Sequence, residues 1–206
     1  MLHDYTVLDL ETTKLDALTG RITEVAARRY RKGRLAAAWS SLVWAGQAPE
    51  ESAVNLNGLT LERLHEEGVD EEDVACQLDY FTRGSLLVAH NAAFELSWLN
   101  QLWLRVFGVS FKRDFLCTKT LAVALGAGSG TSYSLRQLTS DYGIELVNAH
   151  RAMPDVVATK RLLDILLHRA GSSNTVSSLL NCCGVHKTKQ YPLPEGLPEH
   201  VNTVLQ

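Results

Sequence analysis

Tyr5-Thr6-Val7-Leu8-Asp9-Leu10-Glu11-Thr12-Thr13 opens as a β-branched and apolar run and closes on acids and hydroxyls. Tyr5 to Leu10 reads as a strand. Side chains alternate between the two faces of a strand, so Asp9 and Glu11 share one face at its C-terminal end. Ile22 to Tyr30 and Leu35 to Trp44 are further strand-like runs, and the Lys32-Gly33 turn signal between them makes a hairpin. Ser85 to Ala89 is an apolar run with the length of a buried strand, and Asp114 to Thr118 is another short one.

Helical patterns follow from about residue 70. An acidic amphipathic helix is expected around Asp70 to Thr82, and a second from about Ala92 to Phe107, where Leu96, Leu99, Trp103 and Val106 recur at helical spacing. Ser134-Leu135-Arg136-Gln137 has the form of a capping box, which starts a helix that ends near Gly143. Pro154 is expected at the first position of the last long helix, where a missing N–H costs nothing. Strands first and alternating strands and helices afterwards predict an α/β domain with a mixed central sheet flanked by helices.

The chain has 206 residues, a net charge of −3, 46% hydrophobic and 21% charged residues, which is the composition of a globular domain. No apolar run approaches the ~20 residues that span a bilayer. The first residues, Met1 to Tyr5, lack the basic and apolar regions of a secretory signal, so a cytoplasmic protein without membrane contact is expected. Cys76, Cys117, Cys182 and Cys183 suit reduced thiols better than a disulfide scaffold, and Cys182, Cys183 and His186 lack the second ligand pair of a zinc site. Arg21 to Arg34 is rich in arginine and lysine, which suggests one basic face. Gly171-Ser172-Ser173 marks a boundary. Residues 1–170 are expected to form the main domain and 171–206 an extension that packs on it or docks a partner.

Three clusters carry chemistry. Asp9 and Glu11 form an acidic pair suited to a hard divalent cation, which takes carboxylate and phosphate oxygens. His90-Asn91-Ala92-Ala93-Phe94-Glu95 falls where a buried strand hands over to a helix, the end of a sheet at which ligands gather. His150 precedes the last helix and Asp155 lies in its first turn, so a proton acceptor and an anchored carboxylate are neighbours. Each cluster alone has a plain structural alternative: solvated acids, a helix dipole partner, a loop histidine.

In this order the clusters resemble the DEDDh family of 3′-to-5′ exonucleases, which includes the epsilon proofreading subunit of DNA polymerase III, ribonuclease T and oligoribonuclease. The likeness runs from about Tyr5 to His168, with weaker echoes at Ile22-Thr23-Glu24-Val25, Asn57-Gly58-Leu59-Thr60 and Ser134-Leu135. It implies a ribonuclease H-like fold and two divalent cations, Mg²⁺ or Mn²⁺, held by Asp9, Glu11, Glu95 and Asp155. It implies His150 as the general base and Thr12, Thr13, Asn91 and Phe94 around the terminal nucleotide. The partner implied is a single-stranded 3′ end, with DNA favoured, together with a polymerase or another replication or repair protein.

Three positions depart from the family pattern. Glu95 stands where Asp is usual, Lys14 where Gly is common, and Asn57 where His is frequent. Two alternatives stay open at this level. Trimming of RNA differs only in contacts to the 2′-OH. A non-catalytic binding module would keep the fold, although clustered acids that repel phosphate serve no purpose in binding alone. Gln101-Leu102-Trp103-Leu104 looks like a clamp-binding peptide but lies within the amphipathic helix, where it reads as core.

Overall fold

The computed structural model describes residues 2–129, 132–171 and 178–179. Three antiparallel strands come first: β1 (Asp4–Thr12), β2 (Ile22–Arg31) and β3 (Arg34–Trp44). Lys32 and Gly33 join β2 to β3 with φ of 50° and 76°. Positive φ at both central residues matches the right-handed twist of the flanking strands, and glycine adopts it without strain. Two short helices follow, α1 (Glu51–Asn57) and α2 (Leu61–Glu67), then β4 (Val69–Asp70) and α3 (Glu71–Thr82). The chain continues through β5 (Leu86–Ala89), α4 (Ala92–Phe107), β6 (Phe115–Cys117), α5 (Thr118–Ala124), α6 (Leu135–Asp141) and α7 (Ala152–Ala170).

The six strands form one mixed sheet in the order β4-β3-β2-β1-β5-β6. β5 and β6 run parallel to their neighbours, so β1 stands near the middle, between an antiparallel and a parallel partner. Each face of the sheet buries a separate apolar core. Leu8 and Leu10 of β1 face α3 and α4 with Leu78, Trp98, Leu99 and Leu102, while Tyr5 and Val7 face α7 with Val156, Leu162, Leu163 and Leu166. Each of these large side chains contributes about 1.5–3 kcal/mol by leaving water. The alternation that buries them also aims Asp9 and Glu11 to the face on which α7 packs.

Several local expectations are adjusted. The last long helix begins at Ala152, so Pro154 is its third residue and not its first; the position still lies among the N–H groups that no helical carbonyl receives. The capping box is half formed. Ser134 accepts from the Gln137 backbone N–H at 3.2 Å, but the Gln137 side chain donates to Asp141 at 2.7 Å instead of reaching back. Within Arg21 to Arg34, part of the positive charge is paired: Arg29 donates to Asp4 at 3.0 and 2.9 Å and to the Phe81 carbonyl at 3.1 Å, and Arg31 also meets Asp4. Cys182, Cys183, His186 and most of the expected extension lie outside the described residues. Of that extension, Leu179 is buried against the α7 core.

Candidate active site

A cleft of about 480 Å³ opens at the C-terminal end of β1. Its floor is acidic: ligand oxygens of Asp9, Glu11 and Asp155 all lie within 4.8 Å of one another. Strand periodicity supplies the first two, and α7, packed on that face, brings the third in its first turn. Glu95 reaches the cleft from the first turn of α4, and His150 from the loop before α7. Thr12, Asn91 and Phe94 also line it, so the structure brings together all but one of the residues singled out in the sequence.

The exception is Thr13. It is 1% exposed and does not line the cleft. Its hydroxyl accepts from the Arg21 N–H at 2.9 Å, and its N–H donates to the Arg21 carbonyl at 2.8 Å. It therefore closes the base of the loop that joins β1 to β2. Gly20 completes that loop under Trp98, since a Cβ there would meet the indole at 2.5 Å and the Asp16 carbonyl at 2.8 Å.

Crowded acids away from water resist ionisation. Burial, then the charges of Glu95, Asp155, Glu11 and Glu24, raises the Asp9 carboxyl well above its ordinary range. Burial raises Glu11 to about 7, opposed by a hydrogen bond from the Asn57 amide at 3.2 Å. Burial also raises Glu95 and Asp155, the latter opposed by the His150 N–H, which donates to its Oδ2 at 3.3 Å. Meanwhile Glu95 Oε2 and Asp155 Oδ1 are buried without a hydrogen-bond partner. Such orphaned acceptors cost on the order of 1–3 kcal/mol each, more when charged. Divalent cations fit this donor set, because they supply the positive charge and the oxygen-seeking partner that these atoms lack.

His90, which begins the second motif, has a different task. Its Nε2 meets the Tyr133 carbonyl at 3.0 Å and its Nδ1 meets the Thr118 hydroxyl at 2.9 Å. Because a carbonyl only accepts, Nε2 carries the proton and Nδ1 accepts. Burial lowers its pKa to about 4, so it is a neutral tie between β5, α5 and the segment before α6.

Sequence reasoning missed one wall of the cleft. Ser52, Ala53 and Leu56 belong to α1, a helix the sequence patterns do not indicate, and Asn57, singled out in the sequence as a departure from the family pattern, is its last residue. Its signals were Pro49-Glu50-Glu51 at the start and Asn57-Gly58 at the end. Leu15 and Lys14 of the β1–β2 loop also line the cleft, and Lys14 pairs with Glu50, the residue before α1, at 3.1 Å.

A mixed sheet whose central strand ends in paired acids, met by a third acid from a late helix, defines a ribonuclease H-like nuclease domain. The chain belongs to the exonuclease family, whose pattern matches residues 6–163, and within it to the DnaQ-like 3′-to-5′ exonucleases. It is 28% identical over 158 residues to the DNA polymerase III subunit epsilon of Aquifex aeolicus, covering 77% of each chain. It is 30% identical over 159 residues to the PolC-type DNA polymerase III of Thermotoga petrophila, where 77% of this chain covers only 11% of that much longer protein. Among solved structures it is similar to Escherichia coli exonuclease I with single-stranded DNA (TM-score 0.73, 20% identity, 82% of this chain and 41% of that one). It is also similar to exonuclease X with 5′-overhanging duplex DNA (TM-score 0.68, 24% identity, 87% of this chain and 99% of that one).

Proposed function

We propose that this chain releases nucleoside monophosphates one at a time from the 3′ end of single-stranded DNA, with residues 1–170 as the catalytic unit and 171–206 as an extension that packs on it or docks a partner. The observation that carries the reading is the meeting of Asp9, Glu11 and Asp155 within 4.8 Å under an open cleft that His150 also lines. Asp9, Glu11 and Asp155, completed by Glu95, would hold two Mg²⁺ or Mn²⁺ ions. When bound, such ions neutralise the scissile phosphate, lower the pKa of the attacking water and stabilise the departing 3′ oxygen.

The protein's own groups do the rest. A ring nitrogen of His150 takes the proton of the attacking water, a contribution typically of ~10² to 10⁴ in rate. Asp155 accepts the backbone N–H of His150 and so ties the loop that carries the base to the acid cluster. Thr12, Asn91 and Phe94 orient the terminal nucleotide, with Phe94 backed by Trp98 at 5.9 Å between ring centroids. An aromatic face accepts any base, which suits a sequence-tolerant enzyme. DNA is favoured because the similar exonuclease I and exonuclease X structures hold DNA and the relatives are DNA polymerase III proteins. The same relatives support a replication polymerase as partner and the cytoplasm as location.

End-labelled single-stranded DNA and RNA of one sequence, incubated with and without Mg²⁺, test this directly. Stepwise shortening of DNA from the 3′ end, abolished by chelator, is expected. Undiminished cleavage in excess chelator overturns the cation assignment, and faster loss of RNA overturns the substrate.

A further inference from the structure

Glu24 is buried beside the acid cluster, opposite Glu11 in the β1–β2 register, yet its carboxylate serves another element. Arg151 Nε donates to its Oε2 at 2.9 Å and Arg151 Nη2 to its Oε1 at 2.8 Å. Oε2 also accepts the N–H of Ala152, the first residue of α7, at 3.1 Å. Arg151 is the cap of α7 and makes no side-chain cap bond of its own, so an acid on β2 takes up the helix's free N–H and favours its dipole.

The residue before Arg151 is His150, whose φ of 67° is left-handed, and Asn148 at 54° precedes it. A residue other than glycine held there costs about 1–3 kcal/mol and keeps that conformation only where its surroundings impose it. Two constraints flank His150: the hydrogen bond of its own N–H to Asp155, and the forked bond of the next residue to Glu24. A guanidinium fork fixes orientation as well as distance, which a single contact does not.

We propose that Glu24 and Arg151 form a positioning pair that holds the His150 loop in its left-handed conformation and seats the first turn of α7, with Asp155, against β1. The proposal rests on the reading of His150 as the base. Neither residue lines the cleft, so both act through their neighbours. Loss of the pair lets His150 relax toward ordinary backbone angles and carries its ring away from the attacking water, while the groups that hold the nucleotide stay in place.

The test compares Glu24→Gln, Arg151→Lys, Arg151→Gln, the double variant Glu24→Gln/Arg151→Gln and His150→Ala. Steady-state kinetics on single-stranded DNA is read beside amide hydrogen exchange of the metal-free proteins. Each single variant is expected to lose about 10- to 100-fold in kcat, the range seen when groups orienting catalytic ligands are removed, with KM within about twofold. Arg151→Lys should resemble Arg151→Gln because it keeps the charge and loses the fork. The double variant should be no worse than the poorer single, as members of one unit are not additive. Exchange should quicken at residues 150–155 and stay unchanged in β1 and β2.

If His150→Ala is slow and Arg151→Lys and Glu24→Gln cleave within about twofold of the parent, the positioning role is wrong and the base assignment stands. If His150→Ala matches the parent, both fall. Loss of protection throughout β1 and β2 in every pair variant also overturns the proposal, since the pair would then only hold the fold.

Discussion

The floor and the rim of the cleft are built on opposite terms. On the floor, Asp9, Glu11 and Asp155 come from a central strand and a long helix, fixed by two-sided burial and by sheet register. On the rim, Leu15 is 88% exposed on the β1–β2 loop and Leu56 is 54% exposed on the short helix α1, and Lys14 and Glu50 link the two segments by a surface ion pair. Such pairs contribute at most ~1 kcal/mol. The floor therefore stores electrostatic cost in a rigid frame, a cost that bound cations would relieve. The rim offers exposed apolar surface, which in the proposed function sets how firmly a strand is held and not how fast it is cut.

That contrast fails if floor and rim substitutions behave alike. The largest effect is expected at Asp9, at the centre of the acid cluster, where burial and four acidic neighbours disfavour its charged form. Asp9→Asn keeps the size, removes a charge from the cation site and should cost at least ~10³ in kcat, about 4 kcal/mol of barrier. Single-turnover cleavage at saturating Mg²⁺ checks it, and a loss under tenfold would place the cations elsewhere.

Glu95 sharpens the comparison, since it touches the floor from a different helix. Charge should matter more than length there. Glu95→Gln is expected to lose at least about tenfold in turnover, roughly 1.4 kcal/mol, while Glu95→Asp stays active with an altered preference between Mg²⁺ and Mn²⁺. If Glu95→Gln equals the parent, this carboxylate is no part of the cation site; if the parent is inert and Glu95→Asp restores cleavage, the chain is a binding module.

The stored cost on the floor has a pH signature. Glu11, Glu95, Asp9 and Asp155 are all raised in the folded chain, Glu11 to about 7 and Glu95 to about 8, so in metal-free protein the fold binds more protons than the unfolded chain from the ordinary carboxylate range up to about 8. Stability from these groups is then full at low pH and is lost as pH climbs through that window. Thermal unfolding in chelator should show a lower midpoint at pH 8 than at pH 5.5. Mg²⁺ at ~100 times its Kd should raise the pH 8 midpoint by roughly 5–10 °C, the equivalent of ~2.7 kcal/mol. Equal shifts at both pH values would mean that the acids bear no such cost.

The smallest effect belongs to the rim. Leu15→Ala and Leu56→Ala should each raise KM about fivefold, roughly 1 kcal/mol of apolar contact, with kcat within twofold. A kcat loss as large as that of Glu95→Gln would erase the distinction between the two regions.

The amino-acid sequence by itself determined the strand that ends in Asp9 and Glu11, the hairpin at Lys32-Gly33, the helix that begins beside Asn91 and Glu95, and the five-residue step from His150 to Asp155. All of these follow from side-chain periodicity and turn chemistry, which act between near neighbours. α1 escaped because a helix of 7 residues is too short for periodicity to show, and it is stabilised by packing. Only the tertiary structure decided that Asp155 meets Asp9 and Glu11, that Thr13 turns into its loop, and that Glu24 grips Arg151 across 127 residues of chain. Those meetings depend on sheet register and on how α7 lies across β1 and β2, and a one-residue slip of register would turn every acid on β1 to the other face.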